Sequence, residues 1–385
     1  MRPKEAPVND LTPEQEAVVE MVRDFATTAL APHTAEWDEE KHFPVDVLAE
    51  AGTLGMGGIY VREEYGGSAL SRTDAVLIFE ELAAVDPTIA AYISIHNMVA
   101  WMIDAFGNDT QRSKWLPGIT AMTELSSYCL SEPGVGSDAA AITTRAVRDG
   151  DDYVLNGTKQ FISGAGSSAW YLVMVRTADK GSRGITAVVV PAGAPGLSFG
   201  ANEKKMGWRA QPTRQVVFDN VRIPVGNRLG EEGDGFGIAM KGLNGGRVNI
   251  GACSLGGGRA ALEKSIAYLK ERQAFGGPLI EKQHLLFQIA QMDTDLEVSR
   301  TMLMRAARAL DAGAPDTVKL CAMAKMVATD AGFQVANQAL QLHGGYGYLS
   351  EYGLEKLVRD LRVHQILEGS NEIMRLIIGR LAVER

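Results

Sequence analysis

The spacing of apolar positions divides the chain into three zones, and the first of them is helical. Over residues 11–120, apolar residues such as Val18, Val22 and Phe25 recur at the spacing of an amphipathic helix. Thr12 followed by Pro13 is a typical helix start. Two further helices are predicted near 73–84 and 88–106, separated from the first by a glycine-rich turn region at 52–70. We therefore predict an N-terminal helical domain over residues 1–120.

The middle zone, residues 121–230, has short valine-rich segments bounded by Gly, Pro and Asp, which are typical of strands. The predicted strands lie at 153–163, 171–177, 185–190 and 216–224. The Asn156-Gly157 pair predicts a hairpin turn inside the first of them. Because the strands are too closely spaced for helical crossovers, we predict a small β-barrel or sandwich domain.

The last zone, residues 231–385, returns to helical periodicity. The predicted helices lie near 246–271, 283–311, 316–341, 353–362 and 371–382. Short Gly- and Pro-containing breaks separate them, so we predict a C-terminal four-helix-type bundle. The expected fold class is α+β multi-domain, in the order helical, β, helical.

Composition and charge narrow the classes of function. The net charge of the 385 residues is −9 without a basic run, which argues against nucleic-acid binding. Three cysteines without a Cys-x-x-Cys pair argue against disulfides and zinc, and scattered histidines give no metal spacing; we expect buried thiols and no metal. No apolar run is long enough to suggest an integral membrane segment, and the N-terminus lacks a signal core. These features predict a cytoplasmic protein that keeps its own start.

Two glycine-rich segments could approach a cofactor closely. In 128–138, Gly134 and Gly136 permit positive φ, and Ser131 and Ser137 offer hydroxyls, although an isolated loop of this kind is usually a plain turn. The letters 134–139 match a dinucleotide fingerprint, but the helix that this fingerprint needs is not predicted to follow.

The second segment, 341–360, contains Gly344-Gly345 beside His343. A histidine beside such a turn is more often packed and hydrogen-bonded than catalytic.

Two charged residues have both a structural and a functional interpretation. Arg272 stands at a predicted helix end, where the helix dipole favours a cation, but an arginine also pairs well with a pyrophosphate. Glu368 precedes Gly369 and a predicted helix start near Ser370, so it could be a capping residue. A carboxylate at this place could equally act as a base if burial raised its pKa.

Taken together and in this order, the segments 128–138, 272–283, 341–360 and 365–375 resemble the acyl-CoA dehydrogenase family. The resemblance covers nearly the whole chain and implies FAD as cofactor, with Glu368 as the base that removes the α-proton of an acyl-CoA while the β-hydrogen passes as hydride to flavin N5. The implied contacts to FAD are Tyr128, Leu130, Ser131, Gly136, Ser137, Phe161, Ile162, Ser163, Arg272, Phe275, Lys282, Gln283, Gln341, Leu342, Gly344, Gly345, Ser370, Asn371 and Glu372. It also implies an electron-transfer flavoprotein as electron acceptor and a homotetramer.

The resemblance also bears on the substrate. Some members carry their base directly before the arginine that matches Arg247; here Gly246 holds that place, which leaves Glu368 as the base. The implied substrate contacts are Ser137, Asn244, Gly245, Gly246, Arg247 and Arg380. The chain is most similar to members that act on isobutyryl-CoA in valine breakdown, and we hypothesise that the two glycines leave room for the methyl branch.

Other activities remain open at this stage. A short straight-chain or 2-methylbutyryl-CoA dehydrogenase is the nearest alternative, and an acyl-CoA oxidase is another. A non-catalytic, flavin-binding scaffold protein is the alternative of a different class, because a fold does not by itself imply an activity.

Overall fold

The computed structural model describes residues 11–384; residues 1–10, part of the segment predicted to lack a targeting signal, and residue 385 lie outside this range. The chain begins with helices, which carry side-chain caps where the sequence offers them. Thr12 and Gln15 form a reciprocal capping box at the first helix, and Asp86 caps the fifth. The helices are α1 (Pro13–Phe25, continued by a π-helical segment Ala26–Leu30), α2 (Thr34–Glu40), α3 (Val45–Thr53), α4 (Arg72–Val85), α5 (Pro87–Phe106) and α6 (Asp109–Thr120).

The middle of the described chain forms a mixed eight-stranded sheet in the order β6-β7-β3-β2-β4-β5-β8, with β1 paired to β4. β1 and β2 run parallel to β4, and the other pairs are antiparallel. The strands are β1 (Ser126–Cys129), β2 (Arg145–Asp149), β3 (Asp152–Ser163), β4 (Trp170–Arg176), β5 (Ile185–Pro191), β6 (Leu197–Phe199), β7 (Thr213–Pro224) and β8 (Arg228–Leu229).

The prediction of a hairpin turn at Asn156-Gly157 is wrong. β3 runs through this pair, and the pairing of β3 with β7 shifts register between Leu155 and Gly157, which marks a bulge. Gly157 has φ +146°, and a Cβ there would lie 2.7 Å from the Thr144 Cα atom. The glycine is therefore explained by the close approach of β3 to Thr144, just before β2, and the turn lies between β2 and β3, where Asp149 pairs with Asp152.

The C-terminal part is helical, as predicted, but its first helix starts earlier than expected. The helices are α7 (Gly235–Glu271), α8 (Gln283–Asp311), α9 (Thr317–Leu342), α10 (Leu354–Arg362) and α11 (Asn371–Val383), with two-residue strands β9 (Gln273–Ala274) and β10 (Gly277–Pro278) between α7 and α8. The start was predicted near residue 246, whereas the helix begins at Gly235 and includes several glycines, which weaken an isolated helix. In the folded protein this stretch of α7 is buried, and packing outweighs propensity.

Small residues let the helices approach closely around α7. A Cβ on Gly256 would lie 2.1 Å from the Glu80 carbonyl oxygen on α4, and one on Gly332 of α9 would lie 2.4 Å from the Ser254 carbonyl oxygen. α7 packs against α4, α5, α8 and α9, and α11 packs on α9. The result is a helical core that positions α7 and α9 beside the segment that precedes α11.

One expectation about membranes needs correction. Within the described range, α5 is long and apolar enough to span a bilayer, although no such run was predicted; 78% of its most apolar window is buried inside the protein. Its buried Asn97 side chain is also satisfied internally, since it donates to the Met56 and Ile93 carbonyls. α5 is therefore explained as a core helix.

The cysteine side chains are free thiols. Cys129, Cys253 and Cys321 are free and buried, as predicted. Among the described residues, no cluster of three or more His, Cys, Asp or Glu side chains has the geometry of a metal site.

Candidate active site

Glu368 lies at a sharp bend between α10 and α11. Its φ is +55° and that of Gly369 is +91°, so two consecutive residues adopt the left-handed region. This conformation is easy for glycine but costs energy for glutamate, and such strain is concentrated at functional sites. Ser370 then begins α11 as its N-cap residue. The sequence Glu-Gly-Ser-Asn thus forms a bend that turns the glutamate away from the helix axis.

The Glu368 carboxyl group is largely removed from water. The residue is half-buried, but its Oε2 atom is inaccessible to solvent and has no hydrogen-bond partner among the described residues. Burial raises the pKa of Glu368 to about 7, against the opposing effect of Lys325 and Arg247. A carboxylate with a pKa near neutrality is well suited to accept a proton at physiological pH.

Two buried cations bind the bend itself. Arg247 Nε donates to the Glu368 carbonyl oxygen at 3.3 Å, and Arg247 Nη1 donates to Asn244 Oδ1 at 2.8 Å. Lys325 Nζ donates to the Gly369 carbonyl oxygen at 3.0 Å and to Asn371 Oδ1 at 2.8 Å. Asn244 and Arg247, which were predicted to contact the acyl-CoA, here bind each other and the backbone of the bend.

The two glycines on α7 make room for protein groups. A Cβ on Gly246 would lie 2.2 Å from Glu368 Oε2, and one on Gly245 would lie 2.7 Å from Arg72 Nη1. The missing side chain at 246 therefore accommodates the carboxylate. The hypothesis that this glycine pair leaves room for a methyl branch of the substrate loses its geometric basis.

Tyr128 of β1 also faces Glu368. Its hydroxyl is buried without a hydrogen-bond partner in the described structure, and burial raises its pKa, with a further contribution from the Glu368 charge. The site thus holds an unpartnered hydroxyl and an unpartnered carboxylate oxygen. Buried polar atoms normally have a hydrogen-bond partner, so these two atoms are suited to bind a ligand.

The loop after β1 is fixed by a buried ion pair and is open on its other side. Lys159 Nζ donates to the Leu130 carbonyl oxygen at 2.9 Å and to Glu132 Oε1 at 2.8 Å. The Ser131 carbonyl accepts from the Gln160 N–H. Beyond this anchor, Gly136 and Ser137 are exposed, and a Cβ on Gly136 would meet nothing within 4 Å. The loop therefore presents an open face beside β3.

The end of β3 presents an aromatic side chain on a strained backbone. Phe161 has φ +60° and is 65% exposed, whereas Ile162 is buried in the sheet. The Ser163 carbonyl accepts from Ser127 Oγ at 2.6 Å, which ties the strand end to β1. An exposed ring held in this conformation is a ready stacking surface for a planar ligand.

A second group of predicted residues lines a separate cavity of about 530 Å³. Of the predicted residues, it is lined by Arg272, Phe275, Leu342, Gly344 and Gly345. None of the residues 128–137, 161–163 or 368–372 lines this cavity. The single chain thus presents two groups of predicted FAD residues, and the cavity beside Arg272 contains only the second group.

The residues around this cavity differ in exposure. Phe275, at φ +52°, is 91% exposed, and Lys282 Nζ donates to its carbonyl oxygen. Gln283 and Gln341 are exposed on α8 and α9. His343 stacks on Tyr268 and its Nδ1 bonds the Ala339 carbonyl, while burial lowers its pKa. His343 is thus a packed residue, as predicted.

The remaining predicted residues lie on α11 and its cap. Ser370 is half-buried, Glu372 is exposed, and Arg380 is exposed in the last turn without a side-chain partner among the described residues. Asn371 is buried, and its amide donates to Thr329 Oγ1 and Asp330 Oδ1. The geometry favours Asn371 as a support for the bend over a direct FAD contact through its side chain.

Comparison with known proteins assigns the family. Residues 12–123, 127–221 and 233–382 match the N-terminal, middle and C-terminal domains of acyl-CoA dehydrogenase. The chain belongs to the acyl-CoA dehydrogenase family. Members of this family are FAD-dependent oxidoreductases that act on acyl-CoA substrates.

Individual acyl-CoA dehydrogenases are similar over almost the entire chain. The mitochondrial isobutyryl-CoA dehydrogenase of Bos taurus is 52% identical over 97% of this chain and 90% of its own length. The solved butyryl-CoA dehydrogenase of Megasphaera elsdenii is 37% identical with a TM-score of 0.95, over 98% of this chain and 100% of that one. The glutaryl-CoA dehydrogenase of Mycobacterium smegmatis in complex with FADH2 is 29% identical with a TM-score of 0.92, over 97% and 96%.

The residues present fit the flavin cofactor of an acyl-CoA dehydrogenase. The exposed Phe161 ring, the unpartnered Tyr128 hydroxyl and the open glycine loop lie on β1, β3 and their connection. At the second cavity, nothing lies within 4 Å of a Cβ at Gly344 or Gly345, which leaves the backbone accessible. These features suit a planar ring at the first place and a phosphate-containing chain at the second.

Sequence reasoning missed one residue of this site, Lys325. It does not stand out in the sequence because α9 is otherwise an ordinary amphipathic helix. The available signal was a lysine within the apolar face, at helical spacing from Cys321, Ala328 and Thr329, all of which are buried. A lysine is almost never fully buried unless it is paired, so this position could have been marked as functional.

Proposed function

We propose that the chain is an isobutyryl-CoA dehydrogenase, which converts isobutyryl-CoA to methacrylyl-CoA in valine catabolism. The similarity to the bovine enzyme over nearly the full length supports this substrate. The observation that carries the reaction is the buried Glu368 carboxylate, whose pKa is raised to about 7 and which faces the unpartnered Tyr128 hydroxyl.

Glu368 takes the α-proton of the acyl-CoA thioester. Its Oε2 atom has no hydrogen-bond partner among the described residues, and its raised pKa makes it a stronger base than an exposed carboxylate. The Glu368 N–H donates no hydrogen bond to a described residue, so it is available to polarise the thioester carbonyl. Polarisation acidifies the α-carbon and stabilises the charge that develops on oxygen.

Bound FAD supplies the redox chemistry as the acceptor of the β-hydrogen, which leaves as hydride. The protein's part is to hold and align the reactants. We assign Phe161 to stacking on the flavin ring, and the loop residues Ser131 to Ser137, with Tyr128 and Ser163, to its polar edge. Arg272, Gln283, Gln341 and the Gly344-Gly345 backbone are assigned to the rest of the dinucleotide. Arg380 and Ser137 are assigned to the acyl-CoA.

The wider assembly belongs to the same proposal. We infer that an electron-transfer flavoprotein reoxidises the enzyme, and that a homotetramer brings the Arg272 cavity of one subunit to the flavin ring of another. The domain bounds 1–120, 121–230 and 231–385 and a cytoplasmic location are retained as predictions.

The test is an anaerobic titration of the purified holoprotein, followed by its visible flavin spectrum. We expect isobutyryl-CoA to bleach the flavin faster than butyryl-, 2-methylbutyryl- or isovaleryl-CoA. If another thioester is fastest, the reaction stands and the substrate assignment is replaced. A bound flavin that no acyl-CoA reduces would favour the scaffold protein.

The role of Glu368 is tested by Glu368→Gln. This variant keeps the shape of the side chain but cannot accept the proton, so it should bind acyl-CoA without bleaching the flavin. In the wild type, the rate of bleaching should rise with pH through about 7, as the carboxyl group ionises. Retained turnover in Glu368→Gln would refute the assignment.

A further inference from the structure

Lys325 of α9 is a fully buried lysine for which the proposed reaction has no direct use. Its side chain is 0% exposed and extends from α9 toward the Glu368 bend. Its ammonium group donates to the Gly369 carbonyl at 3.0 Å and to Asn371 Oδ1 at 2.8 Å. A buried ammonium is costly unless it is paired, so a lysine kept in this place calls for a reason beyond filling space.

The contacts of Lys325 complete a clamp on the strained bend. The carbonyl of Glu368 accepts from Arg247 of α7, and the carbonyl of Gly369 accepts from Lys325 of α9. Both residues of the left-handed pair are thereby held by a cation, from two different helices. On the far side, Asn371 is bound by Lys325 and by Thr329 and Asp330 of α9.

The same two cations are the charges that favour ionised Glu368. The charges that act on this carboxylate are those of Arg247 on α7 and Lys325 on α9, and burial together with the Glu368 charge raises the pKa of Cys253 on α7 and of Tyr128 on β1. Lys325 itself also faces Asp330 and Glu372. Burial favours the protonated carboxyl group, whereas Lys325 and Arg247 favour the carboxylate.

We propose that Lys325 is a positioning residue for the base: it holds the Glu368-Gly369 bend in place and favours the ionised carboxylate at neutral pH. This proposal rests on the proposed function in one respect, namely that Glu368 is the base. It assigns to α9 a direct part in setting the pH at which the enzyme becomes active.

The experiment measures the ionisation of Glu368 without turnover. Infrared difference spectra between the holoprotein and its Glu368→Gln variant isolate the carboxyl band of this one residue, and a pH titration gives its midpoint. The same pair of spectra is recorded in Lys325→Met, Lys325→Gln and Lys325→Arg backgrounds. Because no substrate is added, the result stands whether or not isobutyryl-CoA is the substrate.

We expect the midpoint to move to higher pH by about one unit in Lys325→Met, since a nearby cation typically lowers a carboxyl pKa by 1–3 units. Lys325→Gln, which keeps hydrogen-bonding capacity but not the charge, should show a similar shift. Lys325→Arg should return the midpoint toward that of the wild type. In turnover, the pH profile of flavin bleaching should shift by the same amount.

Lys356 provides the matched control, because it is another buried lysine whose ammonium binds carboxylates, those of Asp86 and Asp360. Lys356→Met should lower the melting temperature but leave the Glu368 midpoint unchanged. The proposal is overturned if folded Lys325→Met and wild type share one midpoint, or if Lys356→Met shifts it equally. The first result would leave Lys325 with a purely structural role.

Discussion

At the scale of single residues, the catalytic candidate is held in an unfavourable state in two ways. Glu368 has φ +55°, which costs a non-glycine residue about 1–2 kcal/mol, and its carboxyl group is withdrawn from water. Both features reduce stability while preparing a base. The protein offsets them with hydrogen bonds from Arg247 and Lys325 to the adjacent carbonyls.

Replacing the Glu368 carboxylate with a neutral group should therefore stabilise the protein, but only at pH values above the pKa of this carboxyl group in the unfolded state. The folded pKa is about 7 and the ordinary value is 4.5, so the folded state binds the proton more tightly and stability falls as pH rises between these values. Glu368→Gln avoids this loss, which is at most on the order of 3 kcal/mol. We expect its melting temperature to exceed that of the wild type at pH 8 and to match it near pH 4.5.

The control for this experiment is Glu372→Gln, which changes an exposed carboxylate in the first turn of α11. It should show no pH-dependent gain in melting temperature. An equal gain for both variants, or a gain of Glu368→Gln that is independent of pH, would contradict the explanation.

Gly246 offers a second prediction at this scale. A methyl group there would lie 2.2 Å from Glu368 Oε2, so Gly246→Ala must displace the carboxylate. We expect the bleaching rate to fall by at least about tenfold for every substrate, since misplacing a reacting group by an ångström can cost a hundredfold. Gly237→Ala is the control, because nothing lies within 4 Å of a Cβ at that place on the same helix.

Stopped-flow measurements with isobutyryl- and butyryl-CoA decide between two explanations of Gly246. An equal loss of bleaching rate with both substrates would support the explanation that Gly246 leaves room for the Glu368 carboxylate. A selective loss with isobutyryl-CoA would instead restore the idea that this glycine accommodates the methyl branch.

At the scale of elements, the loop of residues 131–137 depends on one buried carboxylate. Glu132 accepts from the Thr143 and Thr144 N–H groups and from Lys159 of β3. Burial opposes its ionisation, but the Lys159 charge and these bonds outweigh burial and lower its pKa to about 2. The loop is therefore tied to β3 and to the segment just before β2 by a charge that persists throughout the physiological pH range.

Removing that charge should loosen the flavin site. Glu132→Gln leaves Lys159 buried without its counter-charge, and a hydrogen bond to a charged group contributes about 1.5–3 kcal/mol. We expect FAD to bind at least about tenfold more weakly, as measured by fluorescence titration of the apoprotein. Asp149→Asn, which removes only an exposed ion pair with Arg222 in the same sheet, should leave FAD affinity unchanged. Full FAD affinity in a folded Glu132→Gln protein would contradict this role of the loop.

The elements also show what the sequence could and could not predict. α8 was predicted over 283–311 and is found at Gln283–Asp311, because long amphipathic periodicity is a strong local signal. The Asn156-Gly157 pair led to a wrong prediction of a turn. A glycine that is needed because the backbone approaches Thr144 cannot be told apart, in sequence, from a glycine that is needed in a turn. The bond between Lys325 and Gly369 joins separate elements, so no local pattern could reveal it.

At the scale of the whole molecule, the predicted FAD residues fall into two separate groups because they lie on different elements of the fold. One group lies on β1, β3 and the loop between β1 and β2, and the other lies around the end of α7 and the turn after α9. Exposed apolar side chains continue from the second group along α8: Phe275 is 91% exposed, Phe287 60% and Val298 55%. Exposed large apolar side chains are typical of interfaces between proteins, and the proposed homotetramer requires such an interface.

Disrupting this surface should therefore remove the cofactor as well as the oligomer. Phe287 and Val298 lie on the same face of α8, about three helical turns apart, so Phe287→Glu places a charge within the proposed interface. We expect a smaller particle by light scattering and a lower ratio of flavin to protein absorbance, because the Arg272 cavity would be separated from its partner. Val147→Glu changes a similarly exposed valine of β2, 59% exposed, and should alter neither quantity. A dissociated Phe287→Glu protein that kept all its FAD would show that one chain completes the site alone, and an unchanged particle size would place the interface elsewhere.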